Sequence, residues 1–419
     1  MIDIQLLRKS PDVVKAALHK KKVDGKLIDK FLKFDDEWRN KTAVLDQLKA
    51  EQNSLSKEMS KEKSEDLLSK AQLLKKRVAE ITIERDDLET KRDDVLSKLP
   101  NIPFDDVPTG TDASGNRIVR EVGKKPEFDF VPKDYMTLAE SLGLIDVKKA
   151  AEISGSRFGY LFREAALMEF ALVRLAMDTL VKNGFTPVVP PVMIRPKVYE
   201  GMGRLAADQK DERYYFDKDE LYLVGSAEHT MGPLHMNEVF EEKDLPRRYV
   251  GFSTCFRREA GTYGKDTKGI LRVHQFDKVE MFAFSSPERS NDEHQLLLSM
   301  QEQLMRALKL PYRVVEICTG DMGWTDARQF DIETWLPGQG EYRETHSCSN
   351  TTDFQSRGMN TKYRTKEQKK ELIHMLNATA FAIGRTLIAI FENYQTKEGT
   401  ILVPEVLRDF VGKKEIVKG

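Results

Sequence analysis

The stretch FRREAGTYGKDTKGILRVHQFDKVE, residues 256–280, has the pattern of two strands joined by a glycine-containing loop. Around its second half, apolar residues at odd positions alternate with charged, polar and aromatic residues at even positions. The odd positions include Leu271, Val273, Val279 and Met281, and the even set is Arg272, His274, Phe276, Lys278 and Glu280. Since side chains on a strand alternate between the two faces of a sheet, the sequence predicts a hairpin with one face in the core and the other face open.

The predicted open face combines cations, carboxylates and an aromatic ring. Arg257 and Glu259 on the first strand point to the same side as the even set. Arginine binds phosphate through two parallel hydrogen bonds, the flat ring of Phe276 suits a stacked base, and Glu280 suits an ammonium or hydroxyl group. We therefore predict a site for a nucleoside phosphate and a small polar molecule. The alternative is a solvated sheet face with surface ion pairs.

The chain lacks the glycine-rich loops that usually bind nucleotide phosphates. It has neither a G-x-x-x-x-G-K-[ST] loop nor a G-x-G-x-x-G motif after a predicted strand. A triphosphate would therefore depend on side chains and metal ions. The candidate cations are Arg257, Arg272 and Arg385. Arg385 lies in the predicted apolar helix of NATAFAIGRTLIAIFEN, where an arginine can also be a surface residue with its charged end in water.

The segment EYRETHSCSN, residues 341–350, supplies candidate metal ligands. Glu344 and Ser347 offer oxygen atoms, which suit a magnesium ion that bridges phosphates. A zinc site would need Cys348, His346 and Cys255, but the ligand spacing of zinc motifs is absent. The sequence therefore favours magnesium.

From residue 135 onward, helix and strand patterns follow each other without a regular βαβ rhythm. Residues 156–184 predict a strand and then a long amphipathic helix that ends at Gly184, and residues 212–230 predict two strands around an acidic turn. FTPVVPPVMI, residues 185–194, has three prolines in a β-branched run, which is typical of an edge or interface strand. This pattern predicts an α+β domain built on an antiparallel sheet.

The first hundred residues predict a long antiparallel helical hairpin, at about residues 27–99. Apolar residues recur every seven positions in two segments of ~30 residues, each ~45 Å long, around a polar turn at residues 60–65. Lys57, Lys61 and Lys63 at the tip and the basic run 75–77 are suited to phosphate contacts. The alternatives are an ordinary dimerising coiled coil and a solvated charged face. We predict domains at 1–103 and 135–419, with a linker at 104–134.

Composition excludes several classes of protein. The 419 residues have a net charge of -1, so no overall positive field attracts nucleic acid. Three cysteines are too few for a disulfide scaffold and fit a reducing cytoplasm. The N-terminus resembles neither a signal peptide nor a transit peptide, and no apolar run predicts a membrane span.

Together these segments resemble the seryl-tRNA synthetases, which are class II aminoacyl-tRNA synthetases. The residues that carry the resemblance are the helical hairpin, FTPVVPPVM, CFRREAG…LRVHQFDKVE, EYRETHSCSNTTDFQSR and NATAFAIGRTLIAIFENYQ. The family implies an antiparallel catalytic sheet flanked by helices, a homodimer, and a coiled-coil arm that binds tRNA(Ser). It also implies that ATP activates L-serine, which is then transferred to the tRNA 3′ end. Such enzymes also charge tRNA(Sec) with serine where that tRNA exists.

The resemblance assigns roles to individual residues. It implies that the catalytic residues are Arg257, at the α-phosphate, and Arg385, at the γ-phosphate. It also implies that Glu344 and Ser347 are the ligands of Mg2+. Phe276 would stack on adenine, and Pro190 would lie at the dimer interface. The implied ATP contacts are Arg257, Arg258, Glu259, Arg272, Val273, Phe276, Glu344, Thr345, His346, Ser347 and Arg385. The implied serine pocket is Ser226, Ala227, Glu228, Arg257, Glu280 and Thr379.

The chain departs from the family pattern at three positions. Ser226 stands where threonine is usual, which keeps the hydroxyl but loses a methyl group; His229 stands where an apolar residue is more usual, and His346 where serine is frequent. Two alternatives stay open: a class II relative that activates another small amino acid, and a non-catalytic RNA-binding paralogue. The second is disfavoured because Arg257, Glu280, Glu344 and Arg385 are all present.

Overall fold

The computed structural model describes residues 1–62, 64–206, 209–260 and 268–419. Lys63 of the predicted basic tip and residues 261–267 of the predicted hairpin loop lie outside the described residues. Contacts divide the chain into two units, one of Ile2–Pro100 and one of Asn101–Gly419 with Met1. The predicted boundaries at residues 103 and 134 stay predictions.

The unit of Ile2–Pro100 consists of helices, which are α1 (Ile4–Lys9), α2 (Pro11–His19), α3 (Lys26–Met59) and α4 (Glu65–Ser97). The last two form the predicted hairpin. Arg92 lies over the Trp38 ring at 4.2 Å, and an ion pair joins Lys41 to Glu84, so the arms are antiparallel. Ser64 caps α4, because its hydroxyl accepts the Leu67 N–H at 3.3 Å.

The second unit alternates short helices with strands. Its helices are α5 (Tyr135–Leu142), α6 (Val147–Ser154), α7 (Arg163–Lys182), α8 (Pro196–Gly201), α9 (Glu228–Met231), α10 (Ser290–Ala307), α11 (Phe354–Met359), α12 (Ile383–Asn393) and α13 (Arg408–Val411). Its strands are β1 (Arg117–Val122), β2 (Ile145–Asp146), β3 (Tyr160–Leu161), β4 (Thr186–Val188), β5 (Met193–Ile194), β6 (Tyr215–Phe216), β7 (Leu221–Leu223), β8 (Val239–Glu241), β9 (Arg247–Phe256), β10 (Gln275–Ser285), β11 (Tyr312–Glu316), β12 (Arg328–Leu336), β13 (Glu341–Asn350), β14 (Lys362–Arg364), β15 (Lys370–Leu372), β16 (His374–Ala382), β17 (Ile401–Leu402) and β18 (Glu415–Ile416).

An eight-stranded sheet forms the centre of this unit, in the order β1-β11-β12-β13-β16-β10-β9-β4. Its pairs are antiparallel except that β4 joins β9 in parallel. The proline-bearing β4 is the edge strand, where a missing N–H costs no ladder hydrogen bond. Helices α7, α10 and α12 contribute buried residues such as Leu172, Leu304 and Leu387 to the main apolar core. The predicted α+β class, antiparallel sheet and N-terminal helical hairpin are confirmed.

The hairpin of β9 and β10 differs in one respect from the prediction. The second strand was expected to include Leu271–His274 but begins at Gln275, opposite Phe256. His274 instead donates its backbone N–H to Arg157 O at 2.9 Å, and its carbonyl accepts the Arg257 N–H at 3.0 Å. Because the His274 N–H donates to Arg157, the regular ladder of β9 and β10 ends before His274. The even-numbered face is also less open than expected, because Lys278 and Glu280 are buried.

Candidate active site

Two adjoining cavities lie on the face of the sheet that carries Phe276, Lys278 and Glu280. The first cavity has a volume of about 160 Å³ and is walled by β10, β13, β16 and the start of α12. Of the predicted site residues it brings together Arg257, Glu259, Arg272, Val273, Phe276, Glu344, Thr345, Ser347, Thr379 and Arg385. The second cavity has a volume of about 390 Å³ and adds Ser226, Glu228 and Glu280. The residues that line both are Arg257, Glu259, Arg272, Lys278, Gln329 and Ser347.

Arg257 follows directly after β9 and lies where the two cavities meet. Its Nε and Nη2 atoms both donate to the Gly225 carbonyl, each at 3.3 Å. Its guanidinium also lies 5.3 Å from the centre of the Phe276 ring. These contacts fix the guanidinium without neutralising it, because neither partner is an anion. The cation therefore keeps its attraction for an anionic ligand.

Two further arginines in the first cavity have carboxylate neighbours. Arg272 Nη1 lies 3.1 Å from Glu259 Oε2, and Arg385 Nη1 lies 3.3 Å from Glu344 Oε1. Burial raises the pKa of the Glu344 carboxyl, but the charges of Arg385, Arg257 and Arg272 outweigh it and hold the pKa below its ordinary value. Glu344 is therefore an anion among three cations, with half of its side chain exposed.

The oxygen atoms beside Glu344 suit a hard cation. Ser347 lines both cavities, and Asp331 lies opposite Ser347 on the neighbouring strand β12. Burial raises the pKa of Asp331 well above its ordinary value, and the negative charge of Glu344 adds to that effect. In the described part of the chain, no three histidine, cysteine or acidic side chains group as a metal site. The protein oxygens thus fit an ion that takes its other ligands from phosphate and water.

The second cavity carries buried carboxylates. Lys278 Nζ lies 3.0 Å from Glu280 Oε2, and both side chains are buried. Burial raises the pKa of Glu280 even though the charge of Lys278 acts against it. Apart from this ion pair, the Glu280 Oε2 atom has no hydrogen-bond partner within the described residues. A ligand ammonium or hydroxyl would satisfy this oxygen.

The turn before α9 brings a second carboxylate to this cavity. Ser226 Oγ accepts the Glu228 N–H at 3.2 Å, and the Glu228 carboxylate accepts Arg204 Nε at 2.8 Å. Burial raises the pKa of Glu228, but the charges of Arg204 and Lys278 outweigh it and lower the pKa overall. The second cavity therefore presents a hydroxyl and two carboxylates beside Arg257.

Three predicted site residues do not line either cavity. His346 is buried beside the Phe381 ring, at 5.9 Å between ring centres, and burial lowers its pKa to about 4. Strand alternation explains this placement, because His346 lies between two cavity residues, Thr345 and Ser347, on β13. Ala227 is fully buried in an apolar cluster that includes Met231. Arg258 is exposed, and its guanidinium lies 5.9 Å from the Tyr214 ring.

The sequence prediction missed several polar residues that line these cavities. They include Arg204, Arg213, Lys278, Gln329 and Asn377. Lys278 shares the alternation of Phe276 and Glu280 and could have been assigned to the site on that signal. The others come from segments far apart in the chain, and no local spacing marks them.

The geometry combines two kinds of binding chemistry. The first cavity offers guanidinium groups, an aromatic ring and oxygen ligands, which together suit a nucleoside polyphosphate. The second offers carboxylates and a hydroxyl in a cavity that Arg257 also lines. The shared wall allows a reaction between an anionic group of the small molecule and a phosphate.

Family models match both units of the chain. Residues 1–103 match the seryl-tRNA synthetase N-terminal domain, and residues 213–394 match the tRNA synthetase class II core domain (G, H, P, S and T). The chain is 43% identical to the serine--tRNA ligase of Pyrococcus horikoshii, over 100% of this chain and 98% of that protein.

Solved structures agree with the sequence comparison. The crystal structure of seryl-tRNA synthetase from Pyrococcus horikoshii complexed with ATP has a TM-score of 0.92 and 42% identity, and each chain is covered completely. The cytoplasmic serine-tRNA ligase from Naegleria fowleri in complex with AMP has a TM-score of 0.86 and 33% identity, over 99% of this chain and 98% of that one. These matches confirm the resemblance seen in the sequence: the chain belongs to the seryl-tRNA synthetase family.

Proposed function

We propose that this protein activates L-serine with ATP and transfers it to tRNA(Ser). The observation that carries the proposal is the position of Arg257 between two cavities of different chemistry. One cavity suits a triphosphate, and the other suits an amino acid with an ammonium and a hydroxyl group. An aminoacyl-adenylate requires this arrangement, since its carboxyl and phosphate groups must meet at one point.

The first cavity would bind ATP. Phe276 would stack on adenine, Arg257 would bind the α-phosphate and Arg385 the γ-phosphate, with Arg272, Glu259, Val273 and Thr345 around them. Glu344 and Ser347 would hold Mg2+, which would neutralise phosphate charge. Arg258 and His346 would act only through the backbone or through neighbours, since their side chains lie away from the cavity.

The second cavity would bind serine. Glu280, whose Oε2 atom is paired only with Lys278 within the described residues, would accept from the ammonium or hydroxyl group. Glu228 and Thr379 would complete the polar wall, and Ser226 would limit the space around the serine side chain. Ala227 would support the turn from below, since it packs in the apolar cluster.

The reaction needs no nucleophile from the protein. A carboxylate oxygen of serine attacks the α-phosphorus, the bond to the β-phosphate breaks, and pyrophosphate leaves. Arg257 stabilises the charge on the equatorial oxygens, which is the main means of catalysis in such transfers. A ribose hydroxyl of the terminal adenosine of tRNA then attacks the acyl carbon, and AMP leaves.

ATP–pyrophosphate exchange with each amino acid in turn tests this function. We expect exchange with serine and at least tenfold less with alanine, threonine, glycine and cysteine. Exchange that is fastest with another small amino acid would favour the alternative of a different class II relative. No exchange with any amino acid, together with retained tRNA binding, would favour a non-catalytic RNA-binding paralogue.

The helical hairpin would bind tRNA. Domains at 1–103 and 135–419, joined through 104–134, would separate tRNA binding from catalysis. Lysines on the hairpin would contact phosphates, so binding should weaken as salt rises.

We extend the proposal to tRNA(Sec) as a second substrate, which charging assays with both purified tRNAs would test. Within the described residues no helix is long and apolar enough to cross a membrane, and we propose a cytoplasmic location.

We also propose a homodimer formed through α7 and the segment that directly follows the edge strand β4. Large apolar side chains are exposed there, with Val189 at 86% and Phe170 at 56% of their surface. Pro190, which the resemblance placed at the interface, is buried within its own chain. Val189→Asp should reduce the dimer fraction in sedimentation equilibrium, whereas Val131→Asp, at a position 87% exposed, should not. Equal effects of both changes would contradict this interface.

A further inference from the structure

Arg213 is a cation in the second cavity that neither the sequence pattern nor the mechanism uses. It lies just before β6 and lines the cavity with Ser226 and Glu228. Its Nε atom is buried without a hydrogen-bond partner. Across the described ranges of the chain, the structure pairs no carboxylate with Arg213. A guanidinium in this position is costly unless an anion accompanies it.

Arg213 and Arg257 flank the same residue, Gly225. Arg257 donates twice to the Gly225 carbonyl, and a Cβ atom added to Gly225 would lie 3.0 Å from Arg213 Nη1. The absence of a side chain at Gly225 therefore makes room for the second guanidinium. Two cations are thus held close to the turn that contains Ser226.

The groups around Arg213 do not supply the missing negative charge. His229 Nδ1 accepts the Gly225 N–H at 3.1 Å and lies 2.8 Å from the Tyr199 hydroxyl, so His229 is neutral and Nδ1 is already used. Glu228 is bound by Arg204. Burial lowers the pKa of Arg213, and the charges of Arg257 and Arg204 lower it further; Tyr199 and Glu228 act in the opposite direction but do not outweigh them. An anionic ligand would restore the balance.

We propose that Arg213 binds the carboxylate of the amino acid substrate, together with Arg257 on the other side of Gly225. This inference rests on the proposed function. A carboxylate has two oxygens and about four acceptor positions, so one oxygen can stay bound to Arg213 while the other attacks the α-phosphorus. Arg213 would then be a substrate-binding residue that orients the nucleophile.

A comparison of serine with L-serinamide, which lacks the negative charge, tests the proposal. Serine binding is measured as KM in pyrophosphate exchange, and serinamide binding as its inhibition constant in the same assay. Arg213→Gln should raise the KM for serine about tenfold or more, the effect of losing a charged hydrogen bond. It should change serinamide inhibition and the KM for ATP by no more than about threefold. Arg213→Lys should recover part of the serine affinity.

Arg364→Gln is the matched control, because it removes an arginine that pairs with Glu241 away from both cavities. An equal loss of serine and serinamide binding in Arg213→Gln would make Arg213 a structural residue and overturn the proposal. So would an effect confined to the KM for ATP or for tRNA, since either assigns Arg213 to a phosphate. Absence of serine-dependent exchange in the unaltered protein would instead overturn the proposed function itself.

Discussion

At the scale of single residues, Arg257 connects the two cavities and has no anionic partner among the residues that the structure describes. Arg257→Ala should lower the rate of serine activation by ~10²–10³, the usual effect of removing one preorganised charge at the transition state. Arg257→Lys should recover only part of the rate, because an ammonium cannot make the paired contact of a guanidinium. Steady-state pyrophosphate exchange measures both. A lysine variant with unaltered kinetics would mean that Arg257 only supports the Gly225 turn.

Ser226 should set part of the selectivity between serine and threonine. Its side chain is buried, and its hydroxyl caps the turn through the Glu228 N–H. Threonine at this position keeps that bond and adds one methyl group, and a methyl group corresponds to ~1 kcal/mol or several-fold in rate. Ser226→Thr should therefore lower threonine activation relative to serine, with serine activation within a few-fold. An unchanged or higher threonine-to-serine ratio in pyrophosphate exchange would contradict this role.

Residues differ in how far the sequence reveals them. Phe276 and Glu280 were predictable because alternation along one strand places them on one face, where an exposed aromatic ring needs an explanation. Arg213 was not, because its proposed role arises from the missing side chain of Gly225 and from Arg257 in a distant segment. Nothing within its own segment marks it. Contacts between distant segments, and the lack of a paired carboxylate among the described residues, become visible only in three dimensions.

At the scale of secondary-structure elements, the hairpin of α3 and α4 can be shortened without disturbing its base. Leu45 on α3 and Ile81 on α4 are both buried. Nearer the base, Asp35 accepts two hydrogen bonds from Arg8, each at 2.7 Å. Replacing residues 46–80 with a short glycine-rich linker keeps these contacts. We expect serine-dependent pyrophosphate exchange within a few-fold of the unaltered protein, and a large loss of tRNA charging. Normal charging by the shortened protein would contradict the tRNA-binding role.

A charge-reversal variant tests the contribution of the lysines at the tip without shortening the hairpin. Lys57→Glu with Lys61→Glu leaves both helices intact but reverses two charges near the turn. It should weaken tRNA binding and lower its dependence on salt, since fewer counterions are released. An unchanged salt slope in filter binding would assign the phosphate contacts to other lysines.

Elements were predictable where the sequence pattern is long or repeated. The seven-residue period of α3 and α4 and the prolines of β4 gave the correct structures, because each depends on local chemistry. The predicted start of β10 was four residues too early. The reason is that the His274 N–H donates to Arg157, which lies more than a hundred residues earlier in the chain. The side chain of His346 lies away from the cavity because strand alternation overrides its position in a polar segment.

At the scale of the whole molecule, buried histidines should make stability depend on pH. His294 is buried, and its Nε2 atom bonds to the Cys348 carbonyl at 3.0 Å. Burial lowers the pKa of His294 to about 4, whereas an unfolded histidine has a pKa of about 6.5. Between these values the unfolded chain binds the extra proton and the folded chain does not. The stability that His294 contributes is therefore complete above about pH 6.5 and decreases as the pH falls toward 4.

His294→Gln should remove this part of the pH dependence. Linkage predicts that one such histidine lowers the free energy of unfolding by about 2 kcal/mol between pH 7 and pH 5. Glutamine does not titrate and can still donate to the Cys348 carbonyl. The free energy of unfolding of the variant should therefore fall by about 2 kcal/mol less than that of the unaltered protein over the same pH range. Urea unfolding at both pH values measures the difference, and carboxyl groups such as Glu169 and Asp331, with raised pKa values, contribute to both proteins and cancel. An equal decrease in the two proteins would mean that His294 accepts a proton in the folded state as readily as in the unfolded chain.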